Sequence, residues 1–385
     1  MTATTTAWVA GFRSAVLSPY ETIQLKQPRG FHDQTLRQIL HLDGGGEAVR
    51  LQLSNEYGKE PLVIAAARVA VRAGRGDAAE TALLPGTDRP LLFGGADEVT
   101  VPVGEVVQSD PVDLAVSAGA DLVLSLYLPE DTGLATFAHT ASQNAYAVSG
   151  NHVSAPVLDG AEEVDSRFYV TGVDVLAPEG TAVAVAFGDS WFEGTGTSTG
   201  TNQRFPNHLN RRLGRGWVVN QGIGGNRLLT DEVGLHGLAR FDRDVLTVPG
   251  ATHVLLHFGL NDLGLPGMTG EPPATAEDLI AGYTALAAKA RSAGLTTIGT
   301  TMGPYAGTIY PGVDSPEGRA IRREVNDWIR TSTVFDAVVD VAAAVQDPDA
   351  PDFIRPDLDS GDHLHLNDEG TRTMADAVDL AYLGL

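Results

Sequence analysis

The chain has 385 residues, of which 43% are hydrophobic and 19% are charged, a composition typical of a globular protein rather than a disordered one. Its 49 acidic and 26 basic residues give a net charge of −23, which would repel nucleic acid because no basic stripe offsets it. The chain contains no cysteine, which excludes disulfides, thiolate metal sites and cysteine nucleophiles. A chain of this length predicts two domains.

The N-terminal segment, MTATTTAWVAGF, has no basic start and no apolar region of the kind found in signal peptides. No stretch of the sequence approaches the length of a membrane span. We therefore expect a cytoplasmic protein, or the mature form of an exported one, with no membrane partner. The oligomeric state is left open.

Residues 1–178 are predicted to form an all-β domain. Short segments of alternating apolar and polar residues are separated by Gly, Pro, Asp or Asn, and no long helical period intervenes. This pattern is typical of an antiparallel β-sandwich or jelly roll. The triplet Arg75-Gly76-Asp77 is interpreted as a turn rather than an integrin-type motif. The predicted strands are 48–55, 62–71, 98–107, 121–129 and 168–177.

Residues 179–385, after a linker at 177–181, alternate between strands and helices. This alternation predicts a parallel sheet covered by helices on both faces, in which reactive groups gather beyond the carboxyl ends of the strands. The predicted strands are 182–187, 217–221, 253–258, 295–301 and 337–341, and the predicted helices are 275–294, 315–332 and 368–384.

Four loops of this second half carry residues suited to chemistry. Ser190 ends the buried run VAVAFGDS, NQGIGGN (220–226) follows the second strand, and FGLND (258–262) follows the third. The segment SGDHLHLN (360–367) lies between the fifth strand and the last helix. We expect these four segments to meet at one edge of the sheet.

The side chains in these loops have the functional groups that acyl transfer needs. The Ser190 hydroxyl requires a base to become nucleophilic, and His365 can serve as that base near neutral pH. Asp362, three residues earlier, can orient the imidazole. The backbone N–H groups of Ser190 and Gly225 and the side-chain amide of Asn261 are candidates for an oxyanion hole.

The four segments resemble the motif blocks of the SGNH hydrolase superfamily, also called GDSL esterases and lipases. GDS at 188–190 matches the first block, NQGIGGN the second, GLND at 259–262 the third and DHLH at 362–365 the last, in the family's order. The resemblance covers about 183–385. It implies a three-layer, flavodoxin-like α/β domain with a five-stranded parallel sheet.

The resemblance also implies a carboxylic ester hydrolase with a triad of Ser190, His365 and Asp362. Its oxyanion hole would be formed by Ser190, Gly225 and Asn261, and it would need no cofactor and no metal. The β-rich first half resembles the N-terminal domain of bacterial two-domain members, among them carbohydrate esterases. This second likeness indicates a short acyl ester of a sugar or another polar alcohol as the substrate.

Two positions depart from the family's usual pattern. Trp191 and Phe192 follow GDS where small or aliphatic residues are common, and Leu366 stands where a proline commonly follows the last histidine. The two aromatic side chains could pack beneath the nucleophile loop or line an acyl pocket.

Other interpretations of single motifs are weaker. Ser198 in GTSTG (196–200) fits the G-x-S-x-G nucleophile elbow, but lacks the strand and helix that must flank it. The glycines at 194, 196 and 200 miss the spacing of a dinucleotide fingerprint by one residue. Asp362, His363 and His365 have the ligand types of a metal site, but no further ligand is indicated.

Four polar residues near the motifs are interpreted as structural. His253 and His257 are expected to be core histidines satisfied by hydrogen bonds. Asp189 and Asp262 are expected to shape their loops through Asx-type hydrogen bonds. Two alternative functions also remain: an acyltransferase using the same triad, and a glycan-binding protein with a decayed hydrolase domain.

Overall fold

The computed structural model describes residues 5–74 and 80–385, so the Arg75-Gly76-Asp77 triplet lies outside the described residues. The chain divides into two compact units, Met1–Thr181 and Ala182–Leu385. Within the described ranges, no helix combines the length and the apolar character needed to cross a bilayer.

The N-terminal unit is built from antiparallel strands. Its two larger sheets have the strand orders β1-β14-β3-β8 and β12-β11-β2-β9-β5-β6, and two further pairs are β10-β13 and β4-β7, which confirms the predicted β-sandwich class. The strands are β1 (Thr6–Arg13), β2 (Gln34–His41), β3 (Val49–Ser54), β4 (Leu62–Ile64), β5 (Ala66–Val71), β6 (Arg89–Pro90), β7 (Val99–Val101), β8 (Val106–Gln108), β9 (Asp121–Leu128), β10 (Phe137–Ala138), β11 (Ala145–Ser149), β12 (Glu162–Val164), β13 (Arg167–Phe168) and β14 (Val170–Pro178).

The sequence prediction misses β1, β2, β6 and β10 to β12, and β2 shows one reason. It carries Arg37 at a fully buried position, which hides the apolar alternation that marks a strand. The guanidinium is satisfied by Ser125 Oγ at 2.9 Å, Thr81 O at 2.9 Å and Ala155 O at 2.8 Å. A buried charge is tolerated when its donors are paired in this way, but the partners are distant in sequence.

The C-terminal unit contains a parallel sheet of order β16-β15-β17-β18-β19, as the alternation of strands and helices predicts. Its elements are β15 (Val183–Gly188), α1 (Ser190–Glu193), α2 (Phe205–Asn210), β16 (Trp217–Gly222), α3 (Gly237–Phe241) continued by a π-helical turn (Asp242–Leu246), β17 (Ala251–His257), α4 (Leu260–Thr269), α5 (Ala276–Ser292), β18 (Thr296–Thr300), α6 (Pro316–Thr331), β19 (Ala337–Val339), α7 (Val341–Val345) and α8 (Asp368–Asp376).

The last helix is shorter than predicted: α8 ends at Asp376 rather than at residue 384. Arg212 donates to the carbonyl of Ala375 and, over 3.1 Å, to the carbonyl of Val378. These bonds satisfy carbonyls that the next helical turn would otherwise use. The chain then continues as a 3-10 turn at Leu380–Tyr382.

The central strand β15 forms the core of the sheet. Every residue from Val183 to Phe187 is fully buried, and β16 and β17 pair with the strand on its two sides. Its last residue, Gly188, is in register with Gly222 of β16 and His257 of β17. The three strands therefore end together, and the loops that follow them begin at the same edge.

Candidate active site

The nucleophile candidate, Ser190, is the first residue of α1 at the end of the buried strand β15. Asp189 caps this helix, since its Oδ1 accepts from Trp191 N over 3.1 Å. The backbone N–H of Asp189 also donates to His257 O over 3.2 Å. A side chain at Gly222 would overlap the backbone of Glu193, so α1 lies directly against β16. These contacts hold Ser190 on rigid backbone.

Ser190, His365 and Asp362 are brought together by the fold. His365 Nε2 lies 3.0 Å from Ser190 Oγ, and His365 Nδ1 lies 2.6 Å from Asp362 Oδ2. With the proton on Nδ1, the imidazole donates to Asp362 and accepts from the Ser190 hydroxyl. This arrangement is the one in which histidine can remove a proton from serine.

Asp362 is held as an ionised carboxylate. Burial would raise its pKa, but the hydrogen bond and charge of His365 and two backbone donors keep that pKa well below its usual value. Its Oδ1 accepts from Leu364 N at 2.9 Å and from His365 N at 2.8 Å. The carboxylate is therefore oriented and charged over the whole neutral pH range.

A further residue at the site, Tyr310, is missed by the sequence analysis. Its hydroxyl donates to Asp362 Oδ2 over 3.2 Å, and its ring centroid lies 6.3 Å from that of His365. Tyr310 belongs to the loop after β18, the next parallel strand of the same sheet. The only signal in the sequence is that position, because no motif marks the loop.

The three oxyanion-hole candidates follow the aligned ends of adjacent strands. In the described part of the chain, the backbone N–H groups of Ser190 and Gly225 have no hydrogen-bond acceptor. Gly225 has a φ of 77°, a left-handed conformation that favours glycine. The side-chain Nδ2 of Asn261 donates to Asn226 O over 3.0 Å, which leaves its second amide hydrogen free.

Asp262 does not form the local Asx-type bond that the sequence suggests. Its carboxylate instead accepts from Leu228 N at 2.8 Å and from Leu229 N at 3.0 Å. Asp262 thereby joins the loop after β17 to the loop after β16. Burial raises the pKa of Asp262 to about 6, although these two backbone donors oppose that rise.

A fully buried arginine, Arg240 of α3, connects the end of β15 with β16 and with the loop that follows β16. It donates to Gly188 O over 2.7 Å, to Gln221 O over 2.9 Å and to Asn226 Oδ1 over 2.9 Å. Its charge is paired with Asp244 at 2.9 Å. Arg240 therefore links the strand end before Ser190 to the loop that carries Gly225, a role that no sequence motif indicates.

Asp189 and His257 form a buried layer under the nucleophile. Burial raises the pKa of Asp189 to about 8 and lowers the pKa of His257 to about 3, so both are neutral at pH 7. His257 Nδ1 is 2.8 Å from Thr300 Oγ1. Within the described residues, His257 Nε2 and Asp189 Oδ2 have no hydrogen-bond partner. His257 is therefore a core histidine, as expected, but only one of its two ring nitrogens is hydrogen-bonded.

The aromatic pair after Ser190 is buried. Phe192 is fully buried and stacks on Phe205 with ring centroids 4.8 Å apart. Trp191 is 3% exposed, and its indole packs 5.3 Å from the ring of His257. Both side chains thus pack beneath the nucleophile turn.

The rival serine, Ser198, lies in an exposed loop with no strand before it. Its backbone N–H donates to Asp368 Oδ1 over 2.8 Å. The backbone around Ser198 therefore does not have the strand–turn–helix arrangement of a nucleophile elbow. The glycines of this loop have a structural role, since Gly194 caps α1 with a φ of 107°. A Cβ at Gly196 would lie 2.6 Å from Leu366 O, so glycine allows close approach to the His365 loop.

The two histidines of DHLH do not converge. His363 is about half exposed and pairs with Asp359, whereas His365 is directed at Ser190. Within residues 5–74 and 80–385, no group of three or more His, Asp or Glu side chains could hold a metal ion. On β17, His253 Nδ1 lies 2.8 Å from Thr252 Oγ1, as expected of a structural histidine.

The fold and the site together define a parallel α/β domain with a serine, a histidine and an aspartate in one hydrogen-bonded chain at the carboxyl edge of its sheet. Residues 186–373 match the GDSL-like Lipase/Acylhydrolase family, and this part of the chain belongs to that family. The protein is a carboxylic ester hydrolase.

Several solved structures are similar to about half of the chain. A GDSL-like lipase from Bacteroides thetaiotaomicron is 17% identical, with 54% of this chain and 89% of that chain covered and a TM-score of 0.41. An aryl esterase from M. smegmatis is 15% identical, with 51% and 95% covered and a TM-score of 0.39. Est24, a carbohydrate acetylesterase from Sinorhizobium meliloti, is 16% identical, with 52% and 99% covered and a TM-score of 0.38. No curated protein matches the chain.

Proposed function

We propose that the protein is a serine esterase in which Ser190 is the nucleophile, His365 the general base and Asp362 the residue that orients the base. The observation that carries this proposal is the continuous chain of hydrogen bonds from Ser190 Oγ through His365 to Asp362, with distances of 3.0 and 2.6 Å. The ionised state of Asp362 supports it, because that charge stabilises the imidazolium formed during catalysis.

The reaction proceeds in two halves. His365 takes the proton of Ser190 as Oγ attacks the ester carbonyl carbon. The tetrahedral oxyanion is held by the N–H groups of Ser190 and Gly225 and by the Asn261 amide. His365 then gives its proton to the departing alcohol, leaving an acyl-serine. A water molecule, deprotonated by His365, attacks this acyl group. The bond from the acyl carbon to Ser190 Oγ then breaks, His365 returns the proton to Oγ, and the acid is released.

We assign catalysis to residues 179–385 and an accessory role to the β-sandwich of residues 1–178. The substrate that we favour is a short acyl ester, such as an acetyl ester, of a carbohydrate or another polar alcohol. This choice is supported by the resemblance of the β-rich half to the N-terminal domain of two-domain carbohydrate esterases.

The test compares Ser190→Ala and His365→Ala with the wild-type protein, using p-nitrophenyl acetate and measuring nitrophenol release. Both variants should lose nearly all turnover while keeping the wild-type melting temperature. Ser198→Ala is the matched control, because it removes the rival serine, and it should keep full activity. Full activity in Ser190→Ala, or its loss in Ser198→Ala, would overturn the assignment.

The substrate class requires a second measurement. A panel of acyl chain lengths and of acetylated sugars should show highest kcat/KM for short acyl groups on polar alcohols. Wild-type protein that releases no nitrophenol above the Ser190→Ala background would instead indicate a glycan-binding protein. Transfer of the acyl group to an added alcohol in preference to water would indicate an acyltransferase.

A further inference from the structure

The indole of Trp191 joins the two halves of the active site. Trp191 directly follows Ser190, and its Nε1–H donates to the carbonyl of Leu364 over 3.1 Å. Leu364 directly precedes His365. One hydrogen bond therefore connects the neighbour of the nucleophile to the neighbour of the general base, across 173 positions of the chain.

The indole is seated in a rigid site. A side chain at Gly303 would overlap the Cη2, Cζ2 and Cζ3 atoms of the Trp191 ring, so the ring lies directly on the backbone there. The preceding residue, Met302, is clamped by Asn326 of α6: Met302 N donates to Asn326 Oδ1, and Asn326 Nδ2 donates to Met302 O, each over 2.8 Å. Asn326 is itself buried. The direction of the indole N–H is thus fixed by the backbone at Gly303, which the bonds between Met302 and Asn326 hold in place.

The loop that carries His365 is hydrogen-bonded both to itself and to the loop after β18. Its internal contacts include the hydrogen bond from Ser360 N to His365 O, at 3.0 Å, and the bridge between Asp359 and Leu366. Its bonds to the loop after β18 are made at Asp362, whose carbonyl accepts from Ile309 N and Thr308 Oγ1, each over 3.1 Å. These bonds place the loop relative to β18, whereas the bond from Trp191 acts directly on its distance from Ser190. Proton transfer depends steeply on that distance, since a misplacement of about 1 Å can lower the rate about 100-fold.

We propose that Trp191 is a positioning residue: its indole N–H fixes the His365 loop at the distance from Ser190 at which proton transfer occurs. This inference rests on the proposed function. It also assigns a role to an aromatic residue at a position where the resembled family commonly has a small or aliphatic one.

The first test is Trp191→Phe, which keeps an aromatic ring and removes the N–H. We expect kcat to fall about 10–100-fold and KM to stay within about twofold, because the substrate's own contacts remain. Acylation and deacylation, separated by burst kinetics, should slow together, since both use His365. Trp328→Phe is the matched control. Trp328 lies in α6 and packs on Phe335, and its replacement should leave kcat unchanged.

The second test is Gly303→Ala, which places a methyl group where the outer ring of the indole lies. It should lower kcat as Trp191→Phe does. In the Trp191→Phe background it should add little, because phenylalanine lacks the ring atoms that the methyl group would meet. Gly303→Ala decides the matter alone if Trp191→Phe does not fold.

Two results would overturn the inference. One is a wild-type kcat in Trp191→Phe; the other is a double variant, Trp191→Phe with Gly303→Ala, whose loss of kcat is the product of the two single losses. Either result alongside an inactive Ser190→Ala variant rejects the role of Trp191 and leaves the proposed esterase mechanism standing. An active Ser190→Ala variant would reject the mechanism itself.

Discussion

The side-chain amide of Asn261 donates one hydrogen to the backbone carbonyl of Asn226 over 3.0 Å, so the loops after β16 and β17 are held in a fixed relation. The same amide keeps a second hydrogen with no acceptor among the described residues. A donor fixed before the substrate binds stabilises developing charge without reorganisation, which is why we propose the Asn261 amide as a donor of the oxyanion hole.

Asn261→Ala should lower kcat by about 10²–10³ and leave KM nearly unchanged, because the lost donor acts mainly in the transition state. Steady-state kinetics with p-nitrophenyl acetate measures both constants. Asn144→Ala, at a position of the N-terminal unit that bonds Glu163, is the control and should have no effect. A change confined to KM would instead make Asn261 a residue for ground-state binding.

Arg240→Met should reduce the free energy of unfolding by about 3–5 kcal/mol, because it leaves Asp244 and three buried acceptors with fewer partners. Urea unfolding at pH 7 measures the loss. Arg243→Met is the control: Arg243 also pairs with Asp244 at 2.6 Å, but its side chain is 29% exposed, so its loss should be smaller. Equal losses in the two variants would contradict the central role assigned to Arg240.

Asp189→Asn should change the pH dependence of stability. Burial raises the pKa of Asp189 to about 8 in the folded protein, from 3.8, so unfolding releases a proton between these values. The wild type therefore loses stability relative to the variant as pH rises from 4 to 8, by up to about 1.4 kcal/mol per pH unit.

The contribution of His257 has the opposite sign, since burial lowers its pKa, but it is common to both proteins and cancels in the difference. Urea unfolding at pH 5 and pH 8 measures that difference. A constant difference between the two proteins would show that Asp189 is ionised in the fold.

Chelation by EDTA should leave esterase activity unchanged, and so should His363→Ala, because His363 pairs with Asp359 rather than with the reacting groups. Activity before and after dialysis against EDTA is the measurement. Inactivation that a divalent ion reverses would favour a metal site at Asp362 and His365.

The positions of the strands along the C-terminal unit were predictable because each strand is a short apolar run bounded by turn residues. The five predicted strands match β15 to β19 within two residues at each end. Ser190, Asp362 and His365 could be nominated for the same reason: their residue types and the loops they occupy are local properties of the chain. Their catalytic roles remain predictions.

Where local pattern and tertiary environment disagree, prediction fails. The strand β2 is missed because Arg37 is buried among acceptors as far as 118 positions away, and α8 ends where Arg212 donates to the carbonyls of Ala375 and Val378. The chain's own pattern thus specified the strands of the parallel sheet, its longer helices and the residues that bear chemistry. Folding alone decided that Tyr310 meets Asp362, that Arg240 joins the end of β15 to β16 and the loop after it, and that Trp191 reaches Leu364. These contacts join residues far apart in the chain. The hydrophobic pattern of a segment indicates which of its own residues are buried, but not which distant residues they contact.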